Sequence, residues 1–333
     1  MMIAMQRREF LESIGALGGL FATGAMTGGC RTTCSDGPLA AAQKTFSERH
    51  CHERLSLAYR HVKIGLEKPF SILHISDTHL CAAYPDELPH HREWARYRNS
   101  VFGGRQEESL MDSLSWARDN VDAVLHTGDL IDFQTRANLD LARRCFGTAA
   151  NMFGCAGNHE FQRRMEGEPI RNTPEYNALG ADALRKSYPF DLALASTVLG
   201  GVNFVAIEQV YGFVTESQVE RFRAEVKKGL PIVLCMHVPF FTDDIWLAKC
   251  KFGPGCGKKF REGAARAAQG DFARQLGDKT TADFIAYLKG EPLLKAILAG
   301  HLHISVQDRF SPTAMEYVAG ANFMFHGQEV MFS

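Results

Sequence analysis

The sequence predicts an α/β domain whose helices cover both faces of a mixed β-sheet, or of two such sheets. Six short runs rich in Val, Ile, Leu or Phe are typical of strands that are covered on both faces. Helical stretches with an apolar face separate several of these runs, and a short hairpin pattern follows the last one. The chain of 333 residues, 45% of them hydrophobic, is long enough for one large domain or two small ones.

The predicted elements follow in order along the chain. An edge strand is predicted over 55–64, and buried strands are predicted over 71–75, 122–126, 151–155, 202–207, 232–236 and 295–299. Helices are predicted over 105–119, 136–147 and 216–228, and a hairpin over 304–309 and 315–319. Thr215 and Gln218 form a capping box for the third helix, and Gly229 ends it. Two stretches, 81–104 and 245–270, do not fit the alternation and are predicted as long loops.

Residues 1–42 are predicted to be an export signal and a tether, followed by the folded domain over 53–333. Arg7 and Arg8 form a twin-arginine pattern, and the Gly/Ala-rich apolar stretch after them is shorter than the roughly 20 residues that a membrane span needs. A buried helix or a membrane anchor is the alternative interpretation. Signal cleavage and lipid attachment at Cys30 both stay open. We therefore expect an exported protein that is periplasmic or anchored to the envelope by its N-terminus.

Composition and charge exclude several other classes of protein. A hydrophobic share of 45% beside 23% charged residues excludes long disorder and a multi-span membrane protein. The formal net charge of −1 argues against a dedicated nucleic-acid binder, so no nucleic-acid partner is expected. The nine cysteines contain no Cys-x-x-Cys pair, which leaves a zinc finger or a thioredoxin-type site without support.

The thirteen histidines are more informative, because five of them occur with Asp and Asn where predicted strands end. The residues at these five strand ends are Asp77 and His79, then Asp129, then Asn158 and His159, then His237, and finally His301 and His303. In open α/β sheets the carboxyl ends of the strands border one cleft, so these side chains are expected to converge. Their oxygen and nitrogen atoms suit ions such as Mn, Fe or Zn. Gly128, Gly157 and Gly300 precede three of the groups and allow the chain to turn tightly.

In order, the groups read Asp-x-His, Gly-Asp, Gly-Asn-His-Glu, His and Gly-His-x-His, and this series resembles the calcineurin-like metallophosphoesterase superfamily. The resemblance extends over about 55–333, and its specific signal is confined to the motif residues. It implies a four-layer sandwich, αββα, of two mixed β-sheets flanked by helices, with a dinuclear metal site at one edge. By motif position, one ion is held by Asp77, His79, Asp129 and His303, and the other by Asp129, Asn158, His237 and His301.

The chemistry that the resemblance implies is the hydrolysis of phosphate esters. Two metal ions share a water, lower its pKa and hold the phosphorus for in-line attack, without a covalent enzyme intermediate. His159 matches the family's histidine that contacts the substrate, and it is expected to donate a proton to the departing oxygen. The two ions are expected to be Mn, Fe or Zn, and the partner a small anionic phosphate ester.

Departures from the motifs of related groups narrow the expected substrate. The residues after Asp129 lack the Arg-Gly pair of protein Ser/Thr phosphatases, and Asp132 stands where purple acid phosphatases have a metal-binding Tyr. His159 occupies a position that is Arg in the lipid-A-precursor hydrolases. The sequence therefore predicts a phosphodiesterase. A phosphomonoesterase of the same fold and a nuclease are the enzymatic alternatives, and a metal-binding protein without activity is the non-enzymatic one.

The two predicted loops are expected to border the cleft and select the substrate, because each follows a metal-bearing strand end. Trp94 and Tyr97 in the first loop are candidates for stacking on a base or a sugar. Lys258, Lys259 and Arg261 in the second loop are candidates for binding an anionic substrate away from the scissile phosphorus. The alternative is that both stretches are solvated surface loops.

Overall fold

The computed structural model describes residues 54–148, 151–169, 173–253 and 271–333, so the predicted signal and tether over 1–42 lie outside it. Eleven strands lie within the described ranges: β1 Ser56–Val62, β2 Phe70–Ile75, β3 Ala123–Thr127, β4 Met152–Cys155, β5 Leu194–Leu199, β6 Val202–Ile207, β7 Ile232–Cys235, β8 Leu294–Ala299, β9 Val306–Arg309, β10 Met315–Val318 and β11 His326–Phe332. Eight α-helices accompany them: α1 Pro89–Phe102, α2 Gln106–Asn120, α3 Arg136–Thr148, α4 Pro174–Arg185, α5 Glu216–Val226, α6 Asp243–Phe252, α7 Asp271–Gly277 and α8 Lys279–Gly290. Within the same ranges, no helix has the length and apolar character that crossing a membrane requires.

The strands form two mixed sheets. The first has the order β1-β11-β2-β3-β4, in which β2, β3 and β4 are parallel and β11 runs antiparallel to β2. The second has the order β5-β6-β7-β8-β10-β9, in which the four inner strands are parallel and the two outer strands run antiparallel to their neighbours. β1 is an edge strand, as predicted. Because parallel strands point their carboxyl ends the same way, each sheet gathers its strand ends along one edge.

The two sheets pack face to face, and helices cover both outer faces. The layer between the sheets consists of apolar side chains from both of them, among them Ile72, Leu125, Phe204, Val233 and Phe332. Side chains alternate along β2, so Leu73 and Ile75 face the opposite layer, beneath α2 and α3. On the second sheet, Phe222 of α5 and Phe284 of α8 belong to the outer core. The structure thus has the two mixed sheets flanked by helices that were predicted.

The prediction of a long loop over 81–104 is wrong, because α1 occupies most of that stretch. Pro89 stands in its first turn, where its missing N–H costs nothing, and Gly103 ends the helix with a left-handed φ of 84°. The buried side chains of α1 are His91, Ala95 and Phe102. Since they do not form an aliphatic stripe, the periodicity that predicts the other helices is absent here.

The predicted loop over 245–270 is wrong in its first part, where α6 continues to Phe252. Lys249 and Lys251 lie in the last turn of α6, where basic side chains stabilise the negative end of the helix dipole. Residues 254–270, with the candidate substrate residues Lys258, Lys259 and Arg261, lie outside the described residues.

Candidate metal centre

Five loops leave the carboxyl ends of β2, β3, β4, β7 and β8 and bring the predicted ligands together between the two sheets. Backbone hydrogen bonds join the first two loops. The N–H of Asp77 donates to the carbonyl of Gly128 at 3.0 Å, and the N–H of His79 donates to that of Asp129 at 2.8 Å. Between the sheets, the N–H of His301 donates to Oδ2 of Asp77 at 2.8 Å. The loops of the two sheets are therefore tied to one another.

The backbone is left-handed at five of the predicted ligands. Asp77, His79, Asp129, His301 and His303 have φ values between 52° and 69°. Only three other non-glycine positions of the described residues share this conformation. It costs about 1–3 kcal/mol per residue and persists where the surrounding structure enforces it, which is typical of functional sites.

Two glycines are required by the close approach of these loops. Gly128 has a φ of 90°, and a Cβ there would lie 2.7 Å from Nδ1 of His237. A Cβ at Gly300 would lie 2.8 Å from Oδ2 of Asp77. A side chain at either position would therefore displace a predicted ligand.

Asp77, His79 and His303 form one candidate set of ligands. Oδ1 of Asp77 lies 3.3 Å from Nε2 of His303 and 3.9 Å from Nε2 of His79. The two ring nitrogens are 3.2 Å apart. On its other side, Nδ1 of His79 lies 3.0 Å from Oδ1 of Asp132, which assigns the ring proton to Nδ1 and leaves a lone pair on Nε2.

Asp129 lies between this set and a second one. Its Oδ2 is 3.7 Å from Nε2 of His79 and 3.2 Å from Nε2 of His237. His237 donates from Nδ1 to the carbonyl of Thr127 at 2.7 Å, which again leaves Nε2 with a lone pair. Nδ1 of His301 lies 3.3 Å from Nε2 of His237. One carboxylate therefore faces ring nitrogens from both sheets.

The spacing and the unpaired oxygens of these side chains fit metal ions. Two ligand atoms bonded at about 2.1 Å to the same ion lie about 3.0–3.4 Å apart. Four of the six distances described above are 3.2–3.3 Å, and the two from Nε2 of His79 to the carboxylates of Asp129 and Asp77 are longer, at 3.7 and 3.9 Å. Oδ1 of Asp77 and Oδ1 of Asn158 are buried without a hydrogen-bond partner. Such atoms are costly unless a cation takes their lone pairs. Carboxylate, amide and imidazole groups together suit divalent ions.

The electrostatics of the buried carboxylates also call for a cation. Burial alone would raise the pKa of Asp77 and Asp129, but the neighbouring imidazoles, led by His303 and His237, hold both pKa values below the ordinary range. Burial lowers the pKa of His79 to about 4. Burial opposes protonation of His237 as well, yet Asp129 raises its pKa to about 10. A bound metal ion would supply the positive charge and leave these imidazoles neutral, as ligation requires.

Asp132 connects His159 to the same centre. Its Oδ1 lies 3.0 Å from Nδ1 of His79 and 3.0 Å from Nδ1 of His159. The carboxylate also accepts two hydrogen bonds from Arg98, from Nε at 2.6 Å and from Nη2 at 2.7 Å. Burial lowers the pKa of His159, but Asp129 and Asp132 outweigh it and raise that pKa. His159 therefore holds a proton more readily than an ordinary histidine.

Glu160 fixes the loops of the first sheet from behind. It is fully buried, and its carboxylate accepts from the backbone N–H groups of Asp129 at 2.9 Å, Leu130 at 2.7 Å and Gly157 at 2.7 Å. It also accepts from the hydroxyl of Tyr188 at 3.0 Å. Burial and the charge of Asp129 raise the pKa of Glu160 to about 7. Sequence reasoning assigned no role to this residue, although it closes the Gly-Asn-His-Glu motif.

The two candidate substrate residues of the first stretch lie on α1. The rings of Trp94 and Tyr97 have centroids 5.2 Å apart. The guanidinium of Arg164 covers the ring of Trp94, with Cζ 4.3 Å from the ring centroid. Trp94 thus already stacks on a side chain of this chain, and stacking on a substrate stays a prediction for both aromatic residues.

Sequence reasoning missed Arg98, Phe102 and Arg164. Phe102 stacks on His79, with ring centroids 4.6 Å apart and an interplanar angle of 18°. Arg98 lies 4.6 Å from the centroid of Phe102. Trp94, Arg98 and Phe102 are each four residues apart, so they share one face of α1. That spacing is the signal by which Arg98 and Phe102 could have been found.

Comparison with known proteins gives one family and several distant structures. A model of the family described as calcineurin-like phosphoesterase matches residues 70–305. A search of curated proteins found no match. The chain is similar to a dimetal phosphatase from Danio rerio, with 15% identity over 77% of this chain and 88% of that one and a TM-score of 0.45. It is also similar to a 5'-nucleotidase from Candida albicans, with 12% identity over 82% of this chain and 47% of that one and a TM-score of 0.36.

A third similar structure is a calcineurin-like phosphoesterase from Bacillus subtilis, with 13% identity over 77% of this chain and 82% of that one and a TM-score of 0.37. The family match carries the assignment. It begins at the first residue of β2 and ends two residues after His303, so it contains every predicted ligand. The two mixed sheets flanked by helices agree with it. The chain therefore belongs to the calcineurin-like phosphoesterase family.

Proposed function

We propose that this chain is a metal-dependent hydrolase of small anionic phosphate esters that prefers phosphodiesters. The position of Asp129 carries the proposal. Its Oδ2 lies 3.7 Å and 3.2 Å from ring nitrogens of the two sets of ligands. Its Oδ1 accepts a hydrogen bond from the backbone N–H of His159 at 2.8 Å. One residue thereby joins the metal ligands to the candidate proton donor.

The residues that would hold two ions are Asp77, His79, Asp129 and His303 for one, and Asp129, Asn158, His237 and His301 for the other. When bound, such ions supply Lewis acidity and an activated water. The imidazoles among these metal ligands are oriented by partners that bind the ring nitrogen facing away from the metal site. Asp132 holds His79, and the carbonyl of Thr127 holds His237.

His159 is the residue that we assign to the leaving group. The backbone carbonyl and Oδ1 of Asp132 lie 2.9 and 3.0 Å from its Nδ1, which leaves Nε2 for the substrate. Asp129 and Asp132 raise the pKa of His159 against the effect of burial. The ring can therefore hold a proton more readily than an ordinary imidazole, and we assign to it the donation of that proton to the departing oxygen, which unactivated esters need.

Charge supports the preference for diesters. The dianion of a monoester carries one negative charge more than a diester and benefits from an additional cation at the scissile phosphate. Arg98 is the guanidinium bonded into the centre, and Asp132 occupies two of its nitrogens. This cation therefore neutralises a protein carboxylate instead of the substrate.

The test is a panel of esters with the full chain loaded with Mn, Fe or Zn. We expect faster hydrolysis of bis(4-nitrophenyl) phosphate than of 4-nitrophenyl phosphate, and no hydrolysis of either by chelator-treated protein. Turnover of monoesters alone would contradict the diester preference. Salt-sensitive cleavage of DNA would favour a nuclease. Absence of turnover with every ester would favour a metal-binding protein without activity.

A further inference from the structure

Within the described residues, the positive charge of Arg164 has no carboxylate partner. No guanidinium nitrogen of Arg164 donates to a protein acceptor among the described residues, and its Nε is buried without a partner. The adjacent Arg163, by contrast, pairs with Glu168 at 3.3 Å. Burial lowers the pKa of Arg164 to about 10. A partly desolvated cation is costly without a counter-charge, so this arginine is suited to an anion from outside the chain.

The guanidinium of Arg164 is held in a fixed orientation. It lies over the ring of Trp94, with Cζ 4.3 Å from the ring centroid, a contact that restricts where its N–H donors can point. The backbone of Arg164 is left-handed, with a φ of 53°. Its carbonyl accepts from Nε2 of His90 at 2.7 Å, and the carbonyl of Arg163 accepts from Nε2 of His91 at 3.1 Å. Two histidines of α1 therefore hold the strained segment that presents the side chain.

This arginine flanks the metal centre on the side of His159. Trp94 lies one helical turn before Arg98, which holds Asp132, and Asp132 in turn holds His159. Arg164 follows His159 by five residues on the loop after β4. The charge of Asp132 acts on Arg164 and raises its pKa against the effect of burial. These contacts join Arg164 to His159 through Trp94, Arg98 and Asp132, on the side where the leaving group departs when His159 donates its proton.

We propose that Arg164, held on Trp94, binds an oxyanion of the leaving group. The preferred substrates are then phosphate esters whose leaving group carries a phosphate or a carboxylate. This inference rests on the proposed function and specifies its substrate class. A planar fork of N–H donors binds two oxygens of a phosphate or carboxylate in parallel, whereas a neutral sugar or base supplies no counter-charge.

The test uses methyl phosphodiesters of three phenols that differ only in the 4-substituent: a carboxylate, a phosphonate and a neutral carboxamide. With the metal-loaded full chain, we expect a lower KM for the two anionic esters than for the carboxamide. Arg164→Gln should lower the ratio of kcat/KM between the anionic and neutral esters about ten-fold, the effect of losing one charged hydrogen bond. Arg163→Gln removes a neighbouring positive charge and should leave that ratio unchanged.

The outcomes separate this inference from the proposed function. A loss confined to the phosphonate identifies a phosphate as the ligand, and a loss confined to the carboxylate identifies a carboxylate. Equal KM values for all three esters with the unaltered chain would overturn the inference without any variant having to fold. An equal loss for all three in Arg164→Gln would overturn it too, because the guanidinium would then bind the scissile phosphate. No hydrolysis of any ester by the loaded chain would refute the proposed function and this inference together.

Discussion

Asp129 and His159 share a hydrogen bond, yet their side chains stand in different electrostatic surroundings. The carboxylate of Asp129 faces ring nitrogens of His79 and His237. The ring of His159 faces Asp132 with one nitrogen and leaves the other for a ligand. Substitutions at the two residues should therefore separate metal binding from turnover.

We expect Asp129→Asn to lose metal. Asparagine keeps the shape of the side chain but removes the charge that both sets of ligands share. Loss of a residue that only orients a metal ligand typically lowers metal affinity about 10–100-fold. Loss of a ligand shared by both ions should therefore lower metal affinity at least about 100-fold. Elemental analysis after dialysis measures this, with Asp119→Asn on the exposed surface of α2 as the control. Two ions per chain with full activity in Asp129→Asn would contradict the assignment.

We expect His159→Asn to keep its metal and lose turnover. General acid catalysis typically contributes about 10²–10⁴-fold, so kcat should fall by that order. The loss should be larger for alkyl esters than for 4-nitrophenyl esters, because nitrophenolate leaves without a proton. Ligand atoms of His159, His79 and Asp129 lie within 4.8 Å of one another. Metal content is therefore measured alongside kcat, and its loss would show that His159 is a ligand instead.

Among the strands, the buried parallel ones and the edge strand β1 were predicted closely, whereas β5 and β11 were missed. The run predicted over 202–207 coincides with β6, because a strand covered on both faces must be apolar throughout. β5 was missed, since its middle residues are exposed and polar. β11 was missed because Gln328 and Glu329 interrupt its apolar pattern. Gln328 donates to Nδ1 of His74 at 2.7 Å, a long-range contact that no local pattern shows.

The same limit applies to the site. The motifs predict Asp, Asn and His ligands because their side chains follow apolar runs directly. Arg98 and Arg164 depend on where α1 packs and on which carboxylates lie within reach. Arg98 is paired with Asp132, whereas Arg164 is not paired with any described carboxylate. Only the folded chain distinguishes these two arginines.

The second sheet contains a buried acid that should make stability depend on pH. Glu316 of β10 is fully buried, and its Oε1 accepts from the backbone N–H of Phe240 at 2.7 Å. Burial raises the pKa of Glu316 from 4.5 to about 8. The folded chain therefore binds this proton more tightly than the unfolded chain. The stabilisation of the folded chain by this proton is fully present below about pH 4.5 and is lost as pH rises through about 8.

We expect Glu316→Gln to remove this pH dependence, because glutamine still accepts from Phe240 but does not ionise. The free energy of unfolding of the unaltered chain should fall by at most about 1.4 kcal/mol per pH unit over that window from this group. Urea unfolding at pH 5 and pH 8 measures the difference. Glu220→Gln, at an exposed position of α5, is the matched control. Parallel pH profiles for the Glu316→Gln chain and the unaltered chain would contradict the assignment.

For the whole molecule, we propose export in the folded state to the periplasm or the envelope. Arg7 and Arg8 support this, and so does a metal centre assembled from both sheets, which requires folding before metal uptake. Changing both arginines to lysine should retain the precursor in the cytoplasm, whereas Arg31→Lys should not. Cell fractionation measures the distribution. Normal export of the double variant would contradict the proposal.

The position of β11 has a consequence for how the chain folds. β11 lies between β1 and β2, and its contact from Gln328 to His74 joins residues 254 positions apart. Just before β11, the N–H of Asn322 donates to the carbonyl of Ser76 at 2.8 Å, beneath the loop that carries Asp77. Contacts between such distant residues raise contact order and slow folding, because loop closure must precede them. We therefore expect the chain to gain its capacity to bind metal late in folding, when β11 inserts between β1 and β2.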